Sequence, residues 1–317
     1  MSSYVIGIDI GGTMIKGALL NKEGELIKKY ETKTHPENDT VEFIANIISF
    51  VNDIRNGHEN VISLGVGIAG LLNNTREILF ESPNLPSLKN VLLKSELQSK
   101  LNLPVFIEND ANIAALGELY VGEGQTLDNF LLMTLGTGLG SGLILNGELC
   151  IGETGKGGEF GHTIVQPGGK PCSCGKSGCL EAYCSGTAMV NMAKEALISN
   201  RTSTLLKIYI KDPSSLTPKA IYTEAENGDE LCHEIFKKTA KYLAIGISNV
   251  NNLLDIHNFI IGGGVSKASH IFKEGLFEEV KQNVFNISKN KIRIMISTLG
   301  NDAGILGAGW LAIKGVS

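Results

Sequence analysis

Four of the six cysteines of this 317-residue chain fall within sixteen positions, in PCSCGKSGCLEAYCSG at residues 171–186. The spacing is Cys172-x-Cys174-x4-Cys179, and Gly175 and Gly178 let the chain turn back sharply enough for three sulfurs to converge. Tetrahedral zinc commonly takes three thiolates and one imidazole, and His162 lies just upstream in GGEFGH. We assign a structural Cys3His zinc site to His162, Cys172, Cys174 and Cys179; a group of reduced thiols and a redox pair are the competing readings. Cys184 follows Glu181 in a helical run and reads as a small core residue. GKS at 175–177 resembles the end of a P-loop, but the glycine that motif needs five positions before Gly175 is Lys170, so no Walker A is present.

Two glycine turns carry a second kind of chemistry. DIGGT at 9–13 and LGTG at 135–138 each place a Gly/Thr tip between two strands, where unshielded backbone N–H groups and a hydroxyl can cradle a phosphate. One such turn is ordinarily only turn geometry. Its recurrence in both halves, with a run of three glycines at 262–264 after a buried strand, points to a nucleotide. Gly11, Gly12, Thr13, Gly136, Thr137 and Gly138 are the phosphate candidates, and Gly262, Gly263 and Gly264 the flat backbone for adenosine. Asp9, beside the first turn, reads as a Mg2+ carboxylate or as an Asx-type turn residue. Lys16 on the following strand either approaches the phosphates or stays solvated.

Asp110 stands in FIENDAN, where a strand ends and a helix begins. Helix capping would account for it. The alternative is that Asn109 and Asp110, at a strand's carboxyl end, face a ligand crevice with Asp110 as the base for a hydroxyl. Glu159, His162 and Glu181 bracket the cysteines and could offer two carboxylates and a hydrogen-bonding backbone to a polyol; each glutamate alone reads as a surface charge.

The elements that must hold these groups follow from periodicity. YVIGIDIGGTMIKGALLNKEGELIKKYET reads as a three-stranded meander, and NDTVEFIANIISFVNDIRN as a helix with Ile44, Ile47, Ile48, Val51 and Ile54 on one face and Asp39 and Glu42 in capping-box spacing. A buried strand ending in glycines, a helix, the strand VFIEN and a helix entered through Asn109 and Asp110 complete the first half. The second half opens near residue 129 with strand, glycine turn, strand and a turn at Asn146-Gly147, an internal duplication of the first. Helices fill roughly 186–254; a strand, a helix, the strand KIRIMIS and a closing helix follow. We expect a small α/β domain over 1–117, with the final helix at about 302–317 packing back on it, and a large α/β domain over 118–301.

The chain is long enough to bury two cores without disulfides. A formal net charge of -5 supplies no basic field for nucleic acid or anionic lipid, and nowhere do about 18 apolar residues run together as a membrane span requires. A cytoplasmic protein with a small-molecule partner is expected, in a compartment where thiols stay reduced.

GIDIGGTMIKGAL, ENDANIAALGE, LGTGLGSGLI, GGEFGH, CSCGKSGCLEAYCSG, IIGGGVS and DAGILGAGWL, in unbroken order over almost the whole chain, resemble the ROK family of sugar kinases and repressors, most of all its zinc-containing bacterial glucokinases. The resemblance implies the actin-like ATPase (ribonuclease H-like) fold of two α/β domains with an interdomain cleft. It implies Asp110 as the base for a hexose 6-hydroxyl attacking Mg-ATP, with Gly70, Asn109, Glu159, His162 and Glu181 around the sugar. It also implies Asp9, Gly11, Gly12 and Thr13 at phosphate or Mg2+, Thr137 at the second phosphate face, Gly262, Gly263 and Gly264 at adenine, His162 shared between zinc and sugar, and a homodimer. Met14 departs from the polar or basic residue many members carry, and GIAG at 67–70 replaces the usual G-x-P-G beside the sugar.

The expected activity is ATP-dependent phosphorylation of glucose, with N-acetylmannosamine or another hexose as the alternative substrate. A repressor of the same family carries a helix-turn-helix domain ahead of the body, for which a phosphate turn beginning at Asp9 leaves no room. A catalytically idle sugar-binding protein is the third reading, against which Asp110 speaks.

Overall fold

A computed structural model describes residues 3–58 and 60–316. The chain divides into two compact units, Met1–Asp128 with Gly142–Gly158 and Thr298–Ser317, and Asn129–Ser141 with Glu159–Ser297.

In the first unit β1 (Tyr4–Ile10), β2 (Met14–Asn21) and β3 (Leu26–Lys33) form the antiparallel meander that their alternating apolar residues and the Gly24 turn demand. Three lysines on the exposed edge strand β3, Lys28, Lys29 and Lys33, discourage pairing with another chain. Helix α1 (Thr40–Arg55) starts at Asp39, whose carboxylate accepts the Glu42 N–H at 2.9 Å. Its buried face is Phe43, Ile44, Ile47, Phe50, Val51 and Ile54; Ile48, expected on that face, lies at its margin because the two phenylalanines rotate the stripe. Strand β4 (Val61–Ile68) pairs parallel to β1. A small antiparallel sheet of β5 (Leu71–Leu72), β6 (Leu79–Glu81) and β7 (Lys89–Val91) follows, too short for periodicity to reveal. Then come α2 (Leu93–Leu101), β8 (Val105–Asn109) and α3 (Asp110–Val121), giving the sheet order β3-β2-β1-β4-β8.

The pattern repeats with β9 (Phe130–Leu135), β10 (Leu139–Leu145) and β11 (Glu148–Leu149). Asn146 and Gly147 both take positive φ, 54° and 75°, as a tight hairpin turn requires. Helices α4 (Glu181–Cys184), α5 (Gly186–Ile198), α6 (Leu205–Lys211), α7 (Pro218–Glu226) and α8 (Glu230–Leu254) precede β12 (Asn258–Gly262), α9 (Ser269–Asn283) and β13 (Arg293–Ile296). The order β11-β10-β9-β12-β13 reproduces the first sheet strand for strand, three antiparallel and then two parallel, as the duplicated turns suggest.

The closing helix α10 (Ala303–Gly315) belongs to the first unit and lies against β1, β4 and α3. Val5, Ala18, Leu20, Ile305, Ala312 and Ile313 form the apolar seam, and Ser63 Oγ donates to the Ala312 carbonyl at 3.0 Å. The backbones meet so closely that a Cβ on Gly65 would lie 1.8 Å from the Ala308 carbonyl oxygen. Among the described residues, no helix is long and apolar enough to cross a membrane.

Because no side-chain movement can clear a backbone oxygen, Gly65→Ala is expected to destabilise the protein by about 2–3 kcal/mol. A lowered urea midpoint with unchanged slope is the expected reading.

Candidate active site

The first unit gathers two carboxylates at the carboxyl ends of parallel strands. At the junction of β8 and α3, Asn109 rather than Asp110 is the cap: its Oδ1 accepts the N–H groups of Ala111 and Asn112 at 2.9 and 3.3 Å. Asp110 is thereby free of the capping role and begins the helix half-buried. Burial pushes its pKa up, only partly opposed by hydrogen bonds from the backbone N–H groups of Ala111 and Asp110 itself and from Asn109. Asn109 Nδ2 donates to the Gly70 carbonyl at 3.2 Å, so these two expected sugar residues touch. A Cβ on Gly70 would meet the Glu81 carbonyl oxygen at 2.6 Å; the small sheet, not the turn, demands glycine there.

Asp9, the penultimate residue of β1, sits between Gly67 and Gly304, whose added Cβ atoms would stand 3.4 and 2.5 Å from its carboxylate oxygens. Burial first, then the charge of Asp110, raises its pKa to about 6, against the opposing pull of Lys16. Lys16 is its direct cross-strand neighbour, which accounts for that pull. Two desolvated carboxylates that feel each other, flanked by a lysine, make a site that a hard cation would relieve.

The glycine turns are partly committed to their own closure. Gly11 N–H donates to the Met14 carbonyl at 3.0 Å, and Gly136 N–H to the Gly138 carbonyl at 3.0 Å. Neither amide is therefore available in this conformation as the phosphate donor expected of it, which leaves the tips, Gly12, Thr13 and Thr137. In the second unit Gly138 has a further reason to be glycine, since a Cβ would stand 2.5 Å from Glu181 Oε2. Gly263, at φ 82°, approaches the end of β9, where a Cβ would lie 2.5 Å from the Leu135 carbonyl oxygen. Thr134 pairs with Gly262 across β9 and β12, so the LGTG turn and Gly262, Gly263 and Gly264 occupy neighbouring strand ends.

The cysteine loop folds as its glycines suggest. Gly175 and Gly178 take φ of 83° and 85°, Cys172 N–H donates to the Lys176 carbonyl at 2.8 Å, and Ile164 pairs with Cys179. Lys170 N–H donates to the Tyr183 hydroxyl at 2.7 Å, and that ring stacks on Tyr242. The result brings one ligand atom from each of His162, Cys172, Cys174 and Cys179 within 4.8 Å of one another. His162 Nδ1 is 3.6 Å from Cys172 Sγ, and Cys174 Sγ is 3.6 Å from Cys179 Sγ. Ligands of a tetrahedral zinc with Zn–S of about 2.3 Å stand about 3.8 Å apart, so the donor set fits that ion. Cys184 stays outside, buried, with its thiol on the Thr239 carbonyl at 3.4 Å.

Glu181 is no plain surface charge. Its Oε2 accepts the Leu139 N–H at 2.9 Å, and its Oε1 the Ser173 hydroxyl at 3.1 Å and the Cys172 thiol at 3.7 Å, joining the cysteine loop to the second glycine turn. Glu159 is exposed and precedes the short 3₁₀ turn Phe160–His162, its carbonyl accepting the His162 N–H at 3.1 Å.

Comparison with known proteins places these groups in context. A family model described as the ROK family matches residues 5–315. The chain belongs to the ROK family. It is 36% identical over 317 aligned residues to a glucokinase of Halalkalibacterium halodurans, with 97% of this chain and 94% of that one covered. A xylose repressor of Caldicellulosiruptor bescii is 29% identical, with 96% of this chain and 76% of that protein covered. A solved ROK glucokinase from Streptomyces griseus, in complex with glucose and AMPPNP, superposes with a TM-score of 0.84 at 32% identity, over 98% of this chain and 100% of that one. The α/β architecture is thus the actin-like ATPase fold of the ROK glucokinase structures.

One pair of residues near the ROK acidic junction escapes sequence reasoning. Glu108, with its side chain 6% exposed, meets Arg76 Nε at 2.8 Å, while its other oxygen accepts from the Asn109 N–H and Asn112 Nδ2 at 2.8 and 3.0 Å. A charge in the buried strand VFIEN signals that a partner must exist. Nothing local identifies Arg76, 32 positions away.

The Asp9 carboxyl has an ordinary pKa of 3.8 and titrates near 6 in the folded protein. Folding therefore favours its neutral form; that stability is fully present below pH 3.8 and lost as pH rises through about 6. Asp9→Asn cannot ionise, so at pH 8 without magnesium or nucleotide it is expected to be about 1–3 kcal/mol more stable than the parent. Urea titrations at pH 8 and pH 4 test this, with the gain vanishing at the lower pH.

Proposed function

We propose that this chain is an ATP-dependent glucokinase, transferring the γ-phosphoryl group of ATP to the 6-hydroxyl of glucose. The observation that carries the reading is the half-buried Asp110 carboxyl, its pKa raised and its side chain relieved of capping by Asn109, in a chain whose near-full-length relatives include glucokinases. Burial strengthens its hold on a proton, as suits a base that takes one from a sugar alcohol. In the proposed step the sugar 6-oxygen bonds to the γ-phosphorus while the bond to the β–γ bridging oxygen breaks. ADP leaves, and the hydroxyl proton passes to Asp110. Gly70, Asn109, Glu159, His162 and Glu181 hold the remaining sugar hydroxyls.

Asp9 is the residue we assign to Mg2+, with Lys16 opposite; the cation supplies charge neutralisation for the phosphates. Gly12, Thr13 and Thr137 offer the phosphate contacts and Gly262, Gly263 and Gly264 the adenine end, with Gly11, Gly136 and Gly138 shaping the turns. His162, Cys172, Cys174 and Cys179 would hold zinc, which supplies a rigid crosslink. With Nδ1 toward the sulfurs, His162 would keep Nε2 for the sugar. All six cysteines are unpaired, in keeping with the reducing cytoplasmic compartment we infer, and a homodimer is the assembly we propose from the family resemblance.

Asp110→Asn is expected to lower kcat by about 10²–10⁴-fold while glucose affinity, read by calorimetry, stays within a fewfold. Since the base must be ionised, kcat/KM of the parent should fall as pH drops through the raised carboxyl pKa values, that of Asp9 lying at about 6. Wild-type turnover in Asp110→Asn would remove the assigned base. ADP release across glucose, mannose, N-acetylglucosamine, N-acetylmannosamine, fructose and allose should be fastest with glucose; a preference for N-acetylmannosamine would replace the substrate and keep the reaction.

One zinc per chain is expected by elemental analysis. Stripping it at neutral pH should lower the melting temperature and weaken glucose binding, because the loop that carries His162 and Glu181 loses its crosslink. Identical stability and affinity after complete removal would refute the structural role.

A further inference from the structure

We propose that Arg76 and Glu108 form a positioning pair that sets the Asn109–Asp110 junction for phosphoryl transfer, an inference that rests on Asp110 being the base. The Glu108 carboxylate grips this junction from two sides. One oxygen takes the Asn109 backbone N–H at 2.8 Å and the Asn112 side-chain amide at 3.0 Å, so Asp110 lies between two residues held by a single atom. The other oxygen is held by Arg76 Nε at 2.8 Å.

Arg76 occupies an unexpected conformation for this task. Its φ is 59°, in the left-handed region where glycine is the default, so the turn itself would be better served by glycine. The turn is independently braced by Asn73, whose side-chain oxygen accepts the Glu77 and Ile78 N–H groups at 2.8 and 3.0 Å. What the arginine contributes is its guanidinium. Nη1 donates to the Asn73 and Gly155 carbonyls at 2.9 and 3.2 Å, and Gly155 takes φ 84° with a would-be Cβ 2.9 Å from the Asn74 backbone nitrogen, which favours glycine there.

Stability is a poor reason for such a pair. Both side chains are largely desolvated, 12% and 6% exposed, and a buried ion pair rarely outperforms apolar packing of the same volume. Arg76 Nη2 even remains buried with no partner. Direction is what the pair supplies: the Glu108 carboxylate cannot rotate without breaking a bond to Arg76 or to the junction, and misplacement of a base by about 1 Å can cost about 100-fold in rate.

Two variants test this, each assayed by ADP release with glucose and by calorimetric glucose binding. Arg76→Gly keeps the turn and deletes the guanidinium; Arg76→Met with Glu108→Gln removes both charges at nearly constant shape. Each is expected to fold, to bind glucose and ATP within about threefold of the parent, and to lose about 10–100-fold in kcat, with guanidinium ion partly restoring Arg76→Gly. In an Asp110→Asn background the same changes should cost nothing further, because the pair acts through that carboxylate. Parent kcat in either folded variant would overturn the proposal, as would an equal loss in both backgrounds or a loss that only tracks the unfolded fraction. Should Asp110→Asn itself turn over normally, the base assignment fails, whatever the pair does.

Discussion

The first unit depends on how closely one helix approaches a sheet. Helix α10 lies on β1 and β4 at backbone contact, a distance that only residues without a Cβ permit at positions 7 and 65. That approach shields half-buried Asp9 in part from water, its carboxylate resting against Gly304. A carboxylate without water is costly unless a cation or a proton compensates it. The raised pKa of Asp9 thus follows first from its burial. The charge of Asp110 raises the Asp9 pKa further.

In the second unit the corresponding feature is a loop rich in glycine and poor in apolar side chains, which brings three sulfurs and one imidazole within 4.8 Å of one another. Glu181 is bonded at one oxygen to this loop and at the other to the backbone of the glycine turn. The two ends of this glutamate tie the cysteine loop to the second glycine turn.

The duplicated sheet gives both halves the same opportunity. In each, a tight glycine turn follows the first strand of a meander, and parallel strands present their carboxyl ends beside it. In the first half these ends carry carboxylates, and in the second they carry bare glycine backbone.

The cysteine–histidine cluster, the acidic junction and the sequence of elements were legible in the chain because each rests on local chemistry. Sulfur spacing, glycine at forced turns and apolar period are properties of neighbours along the backbone. The small sheet of β5, β6 and β7 was not, since its strands of two or three residues are shorter than any period. Nor was the commitment of the Gly11 and Gly136 amides to their own turns, which depends on which carbonyl the folded loop brings within reach. Which of Asn109 and Asp110 caps the helix was equally open, because both side chains can do it. By itself the sequence determined which atoms were available and in what order along each element. Only the tertiary structure decided which of them lost their water and which long-range partner each met, as Arg76 meets Glu108, because desolvation and contact across 32 residues arise from packing rather than adjacency.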